Sequence, residues 1–224
     1  MVYFIQQTLV FCIPLMIVAL AGVFAERSGI INIALEGIMV FGAFVGVLCI
    51  RLFLAAGFPP EAGQLLLIIV ILITMLFGGL FALLLAYASI NLKADQTIGG
   101  TALNLLAPAL VLFLILIISQ QNVLNIDSMY SSADLFMLFQ EDFGLGTKME
   151  NPLGVIGNIL FNKVFLTTIY AIVLYVVLSI ILYKTKLGLR LRSCGEHPQA
   201  AASLGINVYK MRYIGTIISG CLAA

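Results

Sequence analysis

Four stretches of the chain carry no charged side chain: residues 1–25, 64–90, 96–126 and 164–183. Each is long enough to supply the roughly 20 apolar residues that cross a hydrocarbon core as a helix. None alternates apolar and polar positions over about ten residues, as the strands of an outer-membrane barrel do. The pattern predicts helical spans near 5–25, 37–55, 64–90, 98–118 and 164–183, with a sixth beginning at 213. Residues 1–25 lack a basic leader and are uniformly apolar, so they read as a retained span rather than a signal peptide. The last apolar run, from 213 to 224, is too short to cross, so the chain reads as truncated. The expected fold is an all-α polytopic membrane protein: about five full spans, a broken or re-entrant segment and the start of a sixth. It forms one transmembrane domain over residues 1–224.

The apolar pattern is interrupted in two places. In "ERSGIINIALEGIMVFGAF", residues 26–44, Gly29, Asn32, Glu36 and Gly37 are interspersed with isoleucines, which is too apolar for a solvated loop. Irregular backbone at membrane depth survives only when buried in protein or lining a wet path. Asn32 therefore either caps a helix or shapes a translocation path. Glu36 either pairs with Arg27 at the interface or lines the same path. In "ADQTIGGTALNLLAP", residues 94–108, Thr101 and Asn104 are three apart and share a helix face. They serve either as helix-to-helix hydrogen-bonding groups or as substrate contacts. Gly42 and Gly46, and Gly78, Ala82 and Ala86, have the spacing of close helix packing.

Charge sets the orientation. Hydrophobic residues make up 62% of the chain and charged ones 9%, against about 25% in soluble domains, so the surroundings are lipid. The net charge of +1 creates no field that would attract a nucleic acid polymer. Six of the eleven basic residues lie in residues 184–212, which the positive-inside rule makes cytoplasmic. Counting spans back puts Arg27 and Lys93 inside, and the N-terminus outside. It also puts the loop at about 119–163 outside, together with five of the ten acids: Asp127, Asp134, Glu141, Asp142 and Glu150. Within that loop "FGLGTK" and "NPLGVIGN" suggest turns. The four cysteines are too dispersed for a disulfide framework or a zinc site.

No GxxxxGK[ST] phosphate loop occurs, and no Ser/His/Asp set or HExxH run accompanies the single histidine, His197. Catalytic and metal-ligating residues are therefore not expected, and any ATP hydrolysis belongs to another subunit. Within the cytoplasmic segment, Pro198 suits the first turn of a helix and Gly205 the left-handed residue that ends one. The interval 199–204 becomes a helix of about two turns with a face of small side chains.

That segment resembles the coupling loop of ATP-binding-cassette importer permeases. There a short helix with paired alanines, and a glycine five positions after the first, docks on the ATPase. Here these are Ala200, Ala201 and Gly205, in one block with Gly195, Glu196 and Pro198. The blocks "ERSGIINIALEG", "GTALNLLAP" and "GLRLRSCGEHPQAAASLGINVYKMRYIGTIISG" extend the resemblance over essentially the whole chain. Together they resemble the nucleoside and simple-sugar branch of the branched-chain-amino-acid/ribose-type permeases, whose members are usually longer.

The resemblance implies a multi-pass subunit of the bacterial plasma membrane, with no cofactor of its own. Its partners would be cytoplasmic ATPase subunits holding ATP and Mg, a second permease subunit, and an extracellular substrate-binding protein or lipoprotein. Nucleosides are the expected cargo and simple sugars the alternative. For a neutral, hydroxyl-rich cargo, the amide and hydroxyl groups of Asn32, Thr101 and Asn104 would suffice. An ATP-independent secondary carrier and a non-transporting membrane scaffold are the competing classes.

Overall fold

The computed structural model describes residues 2–58, 63–120, 123–124, 137–138 and 164–224. Its long helices are α1 (Val2–Glu26), α2 (Leu35–Ala55), α3 (Gly63–Ile90), α4 (Gln96–Ser119) and α5 (Leu166–Lys184). Three further helices follow: α6 (Lys186–Glu196), α7 (Pro198–Ser203) and α8 (Val208–Ala223). The remaining described pairing is a two-residue antiparallel ladder, β1 (Met137–Leu138) with β2 (Val164–Phe165), in the register Met137 to Phe165. The five acids and both turn motifs expected in the external loop lie outside the described residues.

α2, α3 and α4 are each long and apolar enough to cross a membrane. α1, at 25 residues, would extend about 37 Å as a helix. On α3 a row of large side chains, Leu65, Ile68, Leu72, Leu76, Leu80 and Leu84, faces outward at three- and four-residue steps. Leu105 on α4 is 78% exposed. In water such faces would be costly; in hydrocarbon they are neutral.

Small residues set the packing. α8 runs beside α3 and α1, and a Cβ added at Gly220 would fall on Ala82, while one at Gly78 would fall on Ala224. Gly42 on α2 is equally close to Ala224. The small-residue spacings seen in the sequence therefore allow three helices to meet nearly backbone to backbone around the end of α8. Phe41 stacks on Phe81 beside this crossing, with centroids 4.8 Å apart.

Two features differ from the sequence expectation. The segment after α5 is a further helix, α6, bent 66° from α5. Thr185 marks the break: its hydroxyl donates to the Ile181 carbonyl at 2.6 Å and accepts from the Gly188 amide at 3.4 Å. Gly188 allows α6 to turn back against the Leu182 carbonyl, where a Cβ would collide. α6 buries Gly188, Leu191 and Cys194 and exposes Lys186 and Arg190, an amphipathic pattern that a search for apolar runs overlooks. The last helix begins at Val208 rather than 213, because the Asn207 side chain caps it by accepting from the Lys210 amide at 3.0 Å. Lys210 and Arg212 are thus the first turns of a helix and not part of a loop.

Candidate functional site

The connection from α1 to α2, residues 27–34, is a break in which six of the eight backbone amides are hydrogen-bonded. α1 ends in a Schellman cap: Gly29 adopts φ +87°, its amide donates to Glu26, and the Ile30 amide donates to Ala25. Beyond it other helices provide most of the partners. The Ile31 amide donates to Gln96 Oε1 at 2.8 Å. Asn104, on α4, donates from Nδ2 to the Ile33 carbonyl at 2.9 Å and accepts on Oδ1 from the Gly37 amide at 2.8 Å. Asn32 is 5% exposed; it accepts from the Ala34 amide at 3.1 Å and donates to Ser219 Oγ at 2.9 Å. An irregular segment among apolar helices requires such partners, since an unpaired buried amide or carbonyl costs about 1–3 kcal/mol.

Glycines let the neighbours close on this break. Gly100 of α4 lies against Ile33, Gly215 of α8 against Ser28, and Gly195 of α6 against the Arg27 carbonyl, each too near to admit a Cβ. Pro108, one turn beyond Asn104, has no N–H to give the Asn104 carbonyl, so α4 is weakened where it meets the break.

The structure thus brings Asn32 and Asn104 to one place. It does not bring Thr101 there: Thr101 is exposed, and its hydroxyl donates to the Thr97 and Ile98 carbonyls of its own helix at 2.9 and 3.1 Å. Glu36 is exposed in the first turn of α2, where the helix dipole favours a carboxylate. The expected pairing of Glu36 with Arg27 is not formed. Arg27 Nη1 instead meets Glu196 Oε1 at 3.8 Å, because α6 turns back onto the end of α1. Sequence reading missed Gln96 and Ser219. Ser219 carried a signal, a polar group within an apolar run, but its partner is 187 positions away.

The predicted coupling residues are contiguous along the chain, and part of the set reaches the surface. α6 ends at Glu196, exposed His197 follows, and Pro198 begins α7. α7 closes with a second Schellman cap: Gly205 has φ +81°, its amide donates to Ala202, and that of Ile206 donates to Ala201. The two alanines part company. Ala201 is 2% exposed and packs inward, whereas Ala200, Ala202 and Ser203 face out, next to Leu204 at 80% exposure. A cleft of about 210 Å³ between α1 and α6 is lined by Glu26, Arg27, Arg192, Gly195 and Glu196.

The ends of α3 and α4 gather at the same end of the bundle. Tyr213 of α8 donates to Asn91 Oδ1 at 2.9 Å. Asp95 caps α4 by accepting from the Thr97 and Ile98 amides at 2.7 and 3.3 Å, and these bonds hold its carboxyl below the usual carboxylate range. Among the described residues, no three of His, Cys, Asp and Glu come together as a metal-binding set. Among the described residues, the buried polar side chains Ser28, Asn32, Thr74, Thr216 and Ser219 are neutral hydrogen-bonding groups.

Residues 4–224 match the family described as "Branched-chain amino acid transport system / permease component". The guanosine ABC transporter permease protein NupQ of Bacillus subtilis is 43% identical over 216 residues, which is 96% of this chain and 63% of that protein. The nucleoside ABC transporter permease protein NupC of Lactococcus lactis is 40% identical over 218 residues, 97% of this chain and 63% of its own length. The putative glucose ABC transporter permease protein TsgC13 of Haloferax volcanii is 27% identical over 213 residues, 93% of this chain and 56% of that protein. The chain therefore spans less than two thirds of these relatives. No solved structure matches it.

Proposed function

Since the chain belongs to the branched-chain amino acid transport system permease family, we propose that it is a membrane subunit of an ATP-binding-cassette importer whose cargo is a nucleoside. The observation that carries this reading is α7, a short helix begun by Pro198 and closed by the Gly205 cap, which with Leu204 presents Ala200 and Ala202 outward at the basic end of the bundle. Small side chains let a partner's surface approach the helix closely, and the exposed leucine gives that partner something apolar to cover. Identities of 43% and 40% to permeases named for guanosine and nucleosides support the cargo. The glucose-named relative supports a simple sugar as the second reading.

In this reading the chain is a transport subunit and performs no covalent chemistry. ATP and Mg bind on cytoplasmic ATPase subunits, while a second permease and an extracellular substrate-binding protein or lipoprotein complete the assembly. The N-terminus lies outside the bacterial inner membrane and the segment 184–212 inside, as the basic residues direct. ATPase closure moves α7, and the spans rock to switch access between faces. Asn32 in the break and Asn104 beside it on α4 shape the path, with Thr101 and Glu36 further along it.

The test replaces Ala200 with Arg, because Ala200 is exposed, whereas Ala201 lies in the core and its enlargement would disturb α7 itself. Loss of ATPase copurification and of ATP-dependent nucleoside uptake is expected. Undiminished association, or uptake that persists without the ATPase and follows an ion gradient, would overturn the reading. Competition by nucleosides but not by sugars distinguishes the two cargoes.

A further inference from the structure

α7 is one residue away from α6, and α6 ends on the α1–α2 break. A Cβ at Gly195 would lie 2.5 Å from the Arg27 carbonyl oxygen and 3.2 Å from the Gly29 amide nitrogen. Across the same contact, a Cβ at Gly29 would be 3.4 Å from the Gly195 Cα. This is backbone against backbone, with no flexible side chain between to absorb a displacement. Beside it Arg27 and Glu196 approach to 3.8 Å. Three residues beyond Gly29, Asn32 is bonded to Ser219, and Ile33 and Gly37 are bonded to Asn104.

We propose that Gly195 is the positioning residue through which movement of α7 reaches the membrane-embedded break, with the end of α6 and residues 27–29 moving as one body. The inference rests on the reading of α7 as the ATPase-docking element. Packed backbone transmits displacement because close-packed interiors compress little. The contact leads straight to the two amide side chains, buried Asn32 and part-buried Asn104, that join the break to α8 and α4. The Nε atoms of Arg192 and Arg212, which flank this junction, are buried with no partner in this arrangement. These donors are available to groups that the unit meets when it moves.

The experiment compares substrate transported per ATP hydrolysed in the complete importer carrying Gly195→Ala or Gly195→Val. The valine separates α6 from the Arg27 carbonyl, and the ratio should fall about tenfold or more while the ATPase still copurifies, with alanine intermediate. An unchanged ratio in a complex that retains its ATPase would overturn the inference and leave the docking reading intact. Failure of the ATPase to copurify with the unaltered permease would overturn the docking reading and this inference with it. If Gly195→Val does not fold, Arg27→Cys with Glu196→Cys, in a background with the four native cysteines replaced by alanine, carries the test. Joined by a short reducible reagent, a unit that moves as one body should transport equally before and after reduction. A block relieved by reduction would show that α6 slides on the break, contrary to the proposal.

Discussion

Asn32 and Ser219, 187 positions apart, meet inside the bundle, with Asn32 Nδ2 donating to Ser219 Oγ at 2.9 Å. Asn32 also accepts from the Ala34 amide, so one side chain both shapes the entry to α2 and ties it to α8. Ser219→Ala leaves a buried amide donor without its acceptor and should cost about 1–3 kcal/mol. For a chain of this size that lowers the melting temperature by about 2–4 °C per kcal/mol. Thermal unfolding of the detergent-solubilised permease checks it, together with the cycle Ser219→Ala, Asn32→Ala and the double variant. Strictly additive losses would show that the two groups do not stabilise one another.

Asn104 and Thr101 share a helix but not a role. Asn104→Leu removes partners from both the Ile33 carbonyl and the Gly37 amide, an expected loss of about 2–5 kcal/mol from two unsatisfied groups. Thr101→Val removes only a hydroxyl bonded to its own helix at an exposed position, so a change within about 0.5 kcal/mol is expected. The pair discriminates because both substitutions place an apolar side chain on α4. Similar melting temperatures for the two would contradict the clamp.

The crossing of α3 and α8 leaves no room for a larger side chain at Gly220. Gly220→Val places a branched side chain where Ala82 and the Gly78 carbonyl already lie, and the backbone has no rotamer to yield. Overpacking of this kind costs about 1–3 kcal/mol, and the absence of a flexible neighbour puts this site at the upper end. Gly46→Ala meets only Thr74 and Val70 side chains at van der Waals distance and should be nearly neutral. Yield and monodispersity on size exclusion would separate the two variants.

The spans, the small-residue spacings and the bounds of α7 were legible because each depends on residues near one another in sequence. Pro198 and Gly205 announce the ends of a helix without reference to the rest of the chain. α6 was not legible as an apolar run, since its buried face is carried by Gly188, Leu191 and Cys194 among basic residues. In the break, Asn32, Asn104 and Gly29 stood out as polar or flexible groups in apolar surroundings. Their partners did not, because Ser219 and Gln96 are chosen by the tertiary arrangement. Ala200 and Ala201 look alike in sequence, and only the orientation of α7 decides that one faces out and the other in.

The cap of α4 gives the fold a pH dependence whose sign follows from Asp95. Bonds from the Thr97 amide, then from the Ile98 amide, stabilise its ionised carboxylate and lower its pKa in the folded state, outweighing the opposing effect of desolvation. A depressed folded pKa means that the contribution is fully present above the unfolded carboxylate's value of about 3.9 and is lost as pH falls through the folded value. Asp95→Ala should therefore melt below the native protein at pH 7, and the difference between the two should narrow as pH drops below about 4. The side chain is exposed, so salt screens its charge but not its two short-range backbone bonds, and the gap at neutral pH should persist in high salt. Melting curves of both proteins across pH and ionic strength check this. A difference that widens on acidification would show that the carboxylate does not cap α4 in the folded protein.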